Sequence, residues 1–445
     1  MDKATILQLI SRAGVVGEGG AGFPAHVKYD RRVETVIANG CECEPLLFTD
    51  QHIMRRHHME IVDALLKVMK VMGARRGVIA LKQKYARLVR LFEETIVGSG
   101  LELFKADNFY PAGDEQILVY EITGRAVPPL GLPGEVDVAV ANVGTLYSVS
   151  RAMDRKPVTH KVVTVTGEVV RPALLKVPIG TSVSDCVRQC GGPSVEDPVY
   201  IMGGAMMGSV VDTPEAFDRM VITKTSGGII VLPRGHYLHR AASLSVHAMQ
   251  KQAASACIQC RYCTDLCPRY LIGHGFETHR VMRAFGAGVD VAMDVLQAQM
   301  CCECGVCELF SCPMGLSPRR INALLKARFA ENGLRYEGPR RIQSGQVGLR
   351  PFRKVPVARL AYKLDIDRYM DIHPDFLGEY VPSVVRVPLQ QHIGRPALAQ
   401  VQVGDQVAAG DCIGTMAPGC LGAEIHASIS GVVIDVDDSI VIEGM

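Results

Sequence analysis

The chain reads as an α/β multidomain protein: an N-terminal α/β layer domain, a small α+β domain, a helical cysteine-rich region and a short all-β tail. Three observations predict this. Strand and helix patterns alternate through about residue 155, and from His160 the texture turns to short β-branched runs punctuated by Gly and Pro. Two regularly spaced cysteine runs then lie between Cys257 and Cys312. At 445 residues there is room for three or four domains, using roughly 100–200 residues per domain.

Ile6, Leu9, Ile10 and Ala13 recur at helical spacing, and Gly14 stops that helix before the loop VVGEGGAGFP. A β-rich run from Val33 ends at Asn39–Gly40. An amphipathic helix from about Asp50 to Met72 follows, then a strand at 77–81, a helix at 85–97, and strands near Leu101 and at 136–141. This alternation implies a largely parallel sheet in a first domain spanning 1–155. The next domain, 156–235, combines short strands with one helix in VPIGTSVSDCVRQCGG. Residues 240–335 are helical between the cysteine runs, and 336–383 reads as a linker, rich in Pro, Arg and Gly over 337–356. Over 384–445, short strands with turns at Val403-Gly-Asp, Ala409-Gly-Asp and Ser430–Gly431 suit a small sandwich or barrel.

Composition narrows the function. With 48 basic and 46 acidic side chains the net charge is +2, which gives no electrostatic case for nucleic acid or anionic lipid. Trp is absent and aromatics are 6% of residues, which removes the easiest platform for stacking bases. No window approaches the roughly 18 apolar residues of a membrane span, and MDKATILQLISRAG lacks the features of an export signal. A cytoplasmic chain with no transmembrane segment is expected, and there fifteen cysteines point to metal or redox chemistry rather than disulfides.

The first run is Cys257-x2-Cys260-x2-Cys263-x3-Cys267-Pro268. Three thiolates at two-residue gaps wrap three irons of a cubane, while a fourth, before its proline, reaches the other cluster of a two-cluster ferredoxin. The partner run is Cys301-x2-Cys304-x2-Cys307-x4-Cys312-Pro313, with a last gap one residue longer and an extra thiol at Cys302. Two [4Fe-4S] clusters are therefore expected, one on Cys257, Cys260, Cys263 and Cys312, the other on Cys301, Cys304, Cys307 and Cys267. Structural zinc is the alternative, but two triplets each followed by Cys-Pro favour iron–sulfur. Cys186, Cys190, Cys412 and Cys420 read as small buried apolar residues.

Gly17-Glu-Gly19-Gly-Ala-Gly22 satisfies G-x-G-x-x-G, but in the order helix, loop, strand, so it is not an ordinary dinucleotide fingerprint. Its glycines still let backbone N–H groups approach a phosphate or a flat ring. Asn39-Gly-Cys-Glu-Cys-Glu44-Pro gathers polar side chains where a strand should end, the place where open α/β sheets bind ligands. Asn39, Glu42 and Glu44 suit ring edges or ribityl hydroxyls, and Lys28 is a candidate phosphate partner.

VVGEGGAGFPAHVK, NGCECEPLLFTD, YPAGDEQ and ANVGT resemble the flavin- and NADH-binding domain shared by the Rnf complex C subunit and the complex I flavoprotein subunit. VTVTGEV, VPIGT and GGAMMG resemble the soluble-ligand-binding β-grasp (SLBB) domain that follows it, and the cysteine runs resemble the Rnf pair. The tail, GRPALAQVQVGDQVAAGDCIG through IHASISGVV, resembles a lipoyl-like barrel-sandwich hybrid, here C-terminal rather than N-terminal. That order, without a membrane anchor, is most similar to the cobalamin reductases of propanediol-utilisation microcompartments. The resemblance implies a Rossmann-like FMN/NADH domain, a β-grasp domain, a ferredoxin-like two-cluster domain and the hybrid. It implies non-covalent FMN, with Gly17, Gly19, Gly20, Lys28, Asn39, Glu42, Glu44, Tyr110, Gly113, Glu115, Asn142 and Thr145 on matching positions, and NADH docking from the glycine-loop side near Phe23. Glu18 departs from the related motifs and puts nucleotide affinity in question.

The tail segment His426-Ala-Ser-Ile-Ser-Gly431 offers no acceptor lysine, so a packing or docking module is expected there rather than a swinging arm. No D-x-H-x-x-G corrin-ligating motif is present, so any cobalamin would be a transient substrate. The function implied is an NADH-dependent oxidoreductase passing electrons through FMN and two [4Fe-4S] clusters to cobalamin, in or on a diol-utilising microcompartment. Shell proteins and an adenosyltransferase or diol-processing enzymes would be its partners. No side chain has to act as acid or nucleophile, because the cofactors carry the chemistry. The alternatives are an NADH-recycling electron-transfer subunit with a quinone, flavoprotein or shell-associated cluster as acceptor, and a non-catalytic scaffold.

Overall fold

The computed structural model describes residues 1–289 and 292–444, the side chains of 344–347 excepted. Helix α1 (Lys3–Arg12) starts at Asp2, whose carboxylate accepts the Thr5 N–H at 2.8 Å, and the chain turns out of it at Gly14 with φ +64°. Its buried Ile6 and Ile10 join the core of the first domain, beneath the short helix α2 (Ala25–Tyr29).

Strands β1 (Thr35–Gly40), β2 (Arg76–Lys82) and β3 (Glu102–Ala106) run parallel, and after a short β4 (Phe109–Tyr110) outside this sheet, β5 (Val138–Asn142) pairs with the free side of β1. The order β3-β2-β1-β5 therefore reverses at β1. Helices α3 (Thr49–Met72), α4 (Ala86–Thr95), α5 (Glu115–Thr123) and α6 (Val143–Met153) complete the layers. The last two, with α2, are elements that the periodicity did not reveal. Each of α5 and α6 is short and is started by an N-cap, Asp114 and Asn142, whose side chains accept from the first-turn N–H groups.

A second sheet holds β6 (His160–Gly167), β7 (Ala173–Pro178), β8 (Pro198–Met202), β9 (Ser209–Val211) and β10 (Gly228–Pro233), with two short helices, α7 (Val183–Gln189) and α8 (Pro214–Arg219), where the sequence suggested one. Its edge is completed by β12 (Asp375–Glu379), giving the order β12-β7-β6-β10-β8-β9.

That last strand comes from the segment expected as a linker. Within it, β11 (Val355–Pro356) pairs with β4, the helix Val357–Lys363 buries Val357, Leu360 and Ala361, and β12 adds to β7. Val355, Leu360, Leu364, Ile366 and Tyr369 share one apolar cluster with Tyr110 of the first domain, Ile201 and Ile230 of the second, and Cys304. The segment is a strap that fastens three regions, and its Pro and Arg density conceals these spaced apolar residues.

Helices Val246–Ala256, Thr278–Gly286 and Pro318–Glu331 enclose the cysteine region around Met249, Phe285, Ile321 and Leu325. The tail folds as a four-stranded and a three-stranded sheet. Its Val385, Ile413, Ile425 and Ile442 belong to the same apolar cluster as Ile10, Leu65 and Leu146, so tail and first domain share one core. Among the described residues, no helix is long and apolar enough to cross a membrane.

Candidate flavin and iron–sulfur sites

The reversal of strand order at β1 opens a crevice between the carboxyl ends of β1 and β5, where α/β sheets bind ligands. At the end of β1, Asn39 Nδ2 donates to Gly113 O at 2.9 Å and Asn39 Oδ1 accepts the Cys41 N–H at 3.0 Å. A Cβ on Gly113 would stand 2.3 Å from Cys41 O, so only glycine permits this approach. At the end of β5, Asn142 Oδ1 accepts the Gly144 N–H at 2.7 Å while its Nδ2 donates to Asp50 at 2.8 Å. The glycine loop closes through Gly17 N–H to Phe23 O at 2.9 Å and folds back onto Asn142, which a Cβ on Gly19 would meet at 3.1 Å. Gly20 looks into open space and Phe23 is half-buried. Lys28 Nζ donates to Glu115 at 3.0 Å, which joins the candidate phosphate partner to a second candidate residue.

Glu18, the departure from the related motifs, does not face this crevice as a free charge. Its carboxylate forms an ion pair with Lys161 of β6 and accepts from Ser148 Oγ at 2.6 Å, while its N–H donates to Thr145 Oγ1 at 2.9 Å. Both side chains of the pair are under a tenth exposed. The acid at the glycine loop therefore locks the first domain to the second sheet, with its charge compensated.

Glu42 and Glu44 stand beyond the end of β1. Burial raises the Glu44 carboxyl to about 7, against the hydrogen bonds it accepts from Met206 N–H at 2.9 Å and Tyr110 OH at 3.3 Å. Burial, then the nearby Asp50 and Glu44 charges, raise Glu42 as well. Half-buried oxygen acceptors beside an open glycine loop fit a flat heterocycle whose ring N–H and ribityl hydroxyls donate, with Lys28 at hand for a phosphate.

Two contacts join this crevice to the cysteines. Tyr110 is buried, and its hydroxyl lies 3.3 Å from Glu44 and 2.8 Å from Cys304 O. Asp114, next to Gly113, forms a two-point ion pair with Arg269 at 2.7 and 2.9 Å, two residues after Cys267. The cysteines themselves gather in two groups. Cys267, Cys301, Cys304 and Cys307 line one cavity beside Phe276 and Thr278, and Cys257, Cys260, Cys263 and Cys312 line another beside Met282 and Pro313. Four thiols around one small cavity, and five around the other when Cys302 is included, supply the all-sulfur donor set that a cubane needs.

Both loops bend alike. Gln259 and Arg261 in the first run, and Glu303 and Gly305 in the second, stand two and four residues after the leading cysteine, all with φ between +55° and +80°. For the three non-glycine residues this left-handed backbone is unfavourable, and surrounding structure must hold it. In return N–H groups turn inward: Glu303 N–H donates to Cys301 Sγ at 3.3 Å, Leu316 N–H to Cys312 Sγ at 3.4 Å and Gln259 Nε2 to Cys257 Sγ at 3.1 Å. Cys302 lies at the buried group.

On the β2 side of β1 a cavity of about 980 Å³ opens past Glu42, Cys43 and Glu44. Its wall carries Arg55, Arg56, Lys84, Arg87 and Arg171, a concentration of positive charge.

Residues 10–151 match the Nuo51 FMN-binding domain, 162–210 the SLBB domain, 256–317 the 4Fe-4S dicluster domain and 379–445 the RnfC barrel sandwich hybrid domain. The chain is 42% identical over 435 residues to cobalamin reductase PduS of Salmonella typhimurium, covering 96% of this chain and 94% of that one. The chain belongs to the PduS cobalamin reductase family. The PduS protein of Citrobacter freundii is 40% identical over 442 residues, 98% of this chain and 96% of that one. A component of the proton-translocating ferredoxin:NAD(+) oxidoreductase complex of Clostridium ljungdahlii, the counterpart of the Rnf protein named above, is 32% identical over 275 residues, 60% of this chain and 56% of that one. The chain is a flavoprotein oxidoreductase with FMN and [4Fe-4S] cofactors.

Several residues at these sites were not found from the sequence. Asp114 carried a legible signal, an acidic N-cap before a short helix. Lys161, Arg269 and Asp50 carried none, since their partners Glu18, Asp114 and Asn142 lie 143, 155 and 92 positions away. Cys412, expected as a buried apolar residue, is exposed, and Cys420 is only partly buried. Cys412 opens a short strand whose alternation turns its side chain outward while Ile413 enters the core.

Proposed function

We propose that this chain takes electrons from NADH and delivers them through FMN and two [4Fe-4S] clusters to cobalamin, lowering the oxidation state of its cobalt in or on a bacterial microcompartment. The observation that carries the reading is the Tyr110 contact, which joins the flavin crevice at Glu44 to the backbone of Cys304. When bound, FMN supplies the conversion between hydride transfer and single-electron transfer, and the clusters supply one-electron relay.

The chain's own residues position this chemistry. Glycines 17, 19 and 20 with Lys28 would hold the phosphate side of FMN, and Asn39, Glu42, Glu44 and Asn142 its ring and ribityl edges. The Asp114–Arg269 pair holds the Gly113 turn against the buried cysteine group, which makes Cys267, Cys301, Cys304 and Cys307 the flavin-proximal ligands. Cys257, Cys260, Cys263 and Cys312 are the distal set, beside the exposed Ile258, Tyr262 and Met314 where an acceptor can approach. The cationic cavity suits a phosphate-bearing ligand, a description that both NADH and cobalamin meet.

The test is an anaerobic optical assay of the reconstituted protein with NADH and hydroxocobalamin. Catalytic loss of the Co(III) spectrum, dependent on both protein and NADH, is expected. Bleaching of flavin and cluster absorbance with an unchanged corrin spectrum would overturn cobalamin as acceptor and leave the non-corrin alternative. Replacing Arg55 and Arg171 with Ala together should raise by about tenfold, one charge-assisted contact's worth, the KM of whichever substrate places its phosphate in the cavity.

A further inference from the structure

The tail carries a group of donor side chains used by neither the flavin crevice nor the two cysteine groups. Cys412 and His426 are paired across the antiparallel strands Cys412–Thr415 and Ile425–His426, at a shift of register between Cys412 and Gly414 that brings the exposed thiol and the buried ring together. Glu424, just before the second strand, places Oε2 3.6 Å from Cys412 Sγ and 3.9 Å from His426 Nε2. One donor atom from each of the three lies within 4.8 Å of the others. His426 is only 5% exposed; its Nε2 is the nitrogen that faces Glu424, and its Nδ1 makes no hydrogen bond of good geometry among the described residues, although the Arg12 backbone lies close to the ring. A buried ring nitrogen in this state is uncommon, because burial removes the water that would otherwise satisfy it.

We propose that Cys412, Glu424 and His426 form a binding site for a divalent transition-metal ion of the zinc class. Around a tetrahedral zinc, the bond lengths to sulfur, nitrogen and oxygen set neighbouring donors about 3.4–3.6 Å apart. The observed 3.6 and 3.9 Å separations lie within a few tenths of an ångström of that geometry, and the Cys412–His426 pair, within 4.8 Å, closes to it as the exposed Cys412 side chain turns. Thiolate, imidazole and one carboxylate select zinc or its chemical neighbours over magnesium or calcium, which take all-oxygen shells. Cys412 is at the surface and gives the ion its route in, and its thiol proton leaves to solvent when the metal binds. Three protein ligands leave a fourth position for water.

The nearby cation does not occupy the site. Lys224 Nζ donates to the backbone carbonyls of Gly14 at 2.7 Å and Glu424 at 2.6 Å. These bonds place the metal site at a seam where the tail meets the end of α1 and the segment after β9. A bound ion would join two strands of the tail and stiffen that seam.

The test uses the full chain with its flavin and iron in place. Zinc and iron are counted by plasma mass spectrometry after dialysis against zinc sulfate and then against metal-free buffer. The result expected is about one zinc per chain in the parent protein, lost in Cys412→Ser and in Glu424→Gln with iron and flavin content unchanged. Cobalt(II) in place of zinc should give a thiolate-to-cobalt absorption band that Cys412→Ser abolishes. Zinc should also raise the melting temperature of the parent and leave that of Cys412→Ser unmoved, which separates a lost ligand from a damaged fold. Equal zinc in parent and variants, or no retained zinc and no cobalt band in the parent, would overturn the assignment.

Discussion

The two cysteine groups share one loop conformation and differ in almost everything around it. In the group of Cys267, Cys301, Cys304 and Cys307, three of the four cysteines are buried, and the buried Arg269 and Tyr110 lie beside them. In the group of Cys257, Cys260, Cys263 and Cys312 all four are partly exposed, and the rim carries Ile258, Tyr262 and Met314. The run supplies the ligands, and the packing supplies the position in the path. Burial disfavours the added negative charge of reduction, while solvent and N–H donors to sulfur favour it. On the proposed path, burial of the inner group therefore works against its reduction, the buried Arg269 cation works for it, and exposure favours reduction of the outer group.

The largest expected effect comes from removing ligands one group at a time. Cys307→Ala should lose about four irons per chain, one cubane's worth, and abolish electron delivery, because the group next to Tyr110 is gone. Cys260→Ala should lose the same amount of iron, keep its flavin and keep the inner group reducible by NADH. Iron analysis with electron paramagnetic resonance of the NADH-reduced proteins checks both. Identical spectra from the two variants would erase the distinction between inner and outer groups.

Next in size is Arg269→Met, which removes the buried guanidinium and leaves the partly buried Asp114 only its helix-cap hydrogen bonds. Breaking a buried ion pair from one side costs on the order of 3–5 kcal/mol. The melting temperature should fall and flavin affinity with it, since Asp114 caps α5 at the Gly113 turn. A parallel Arg261→Met change at the exposed group, where the Asp265 and Glu277 contacts are long and partly solvated, should cost under about 1 kcal/mol.

The sequence told these two groups apart only in part. The crossed grouping of the cysteines around two cavities was legible because a Cys-Pro after each triplet turns the fourth thiol away. Which group faces the flavin was not, because that depends on Tyr110 reaching the Cys304 carbonyl across 194 positions and on Arg269 reaching Asp114 across 155.

The first domain's strands and long helix could be read from periodicity, and so could the crevice at the end of β1. The strap of residues 336–383 could not, since its buried Val355, Leu360 and Ile366 are spaced by tertiary packing rather than by one helix or strand. The partner of Glu18 was illegible for the same reason: Lys161 belongs to another sheet.

A smaller effect is expected from Tyr110→Phe, which removes the hydroxyl between Glu44 and Cys304 and little else. Flavin and iron content should stay at parent levels while the rate of inner-group reduction falls by about tenfold, the equivalent of one hydrogen bond of about 1.4 kcal/mol. Rapid-mixing absorbance with NADH measures it, and an unchanged rate would show that the contact is structural only.

The smallest effect is a pH dependence. Burial lifts the Glu44 carboxyl from 4.5 to about 7, so the folded state holds that proton more tightly than the unfolded state does. Stability of the flavin-free chain should therefore be highest below about pH 4.5 for this group and decline as pH rises towards 7, with a slope of at most about one proton. Glu44→Gln should reduce that slope by up to about one proton in denaturant titrations, the raised Glu42 and Asp50 carboxyls supplying what remains. Among the described residues no carboxyl raised this far lines the exposed cysteine group, which should contribute no such slope.

The most direct test of the account is anaerobic rapid mixing of Cys260→Ala with NADH and hydroxocobalamin, following flavin, cluster and corrin absorbance together. The account predicts that flavin and the remaining inner cluster are reduced while the Co(III) corrin spectrum persists. Corrin reduction at the parent rate would contradict it, because electrons would then leave the protein without passing the outer cysteine group.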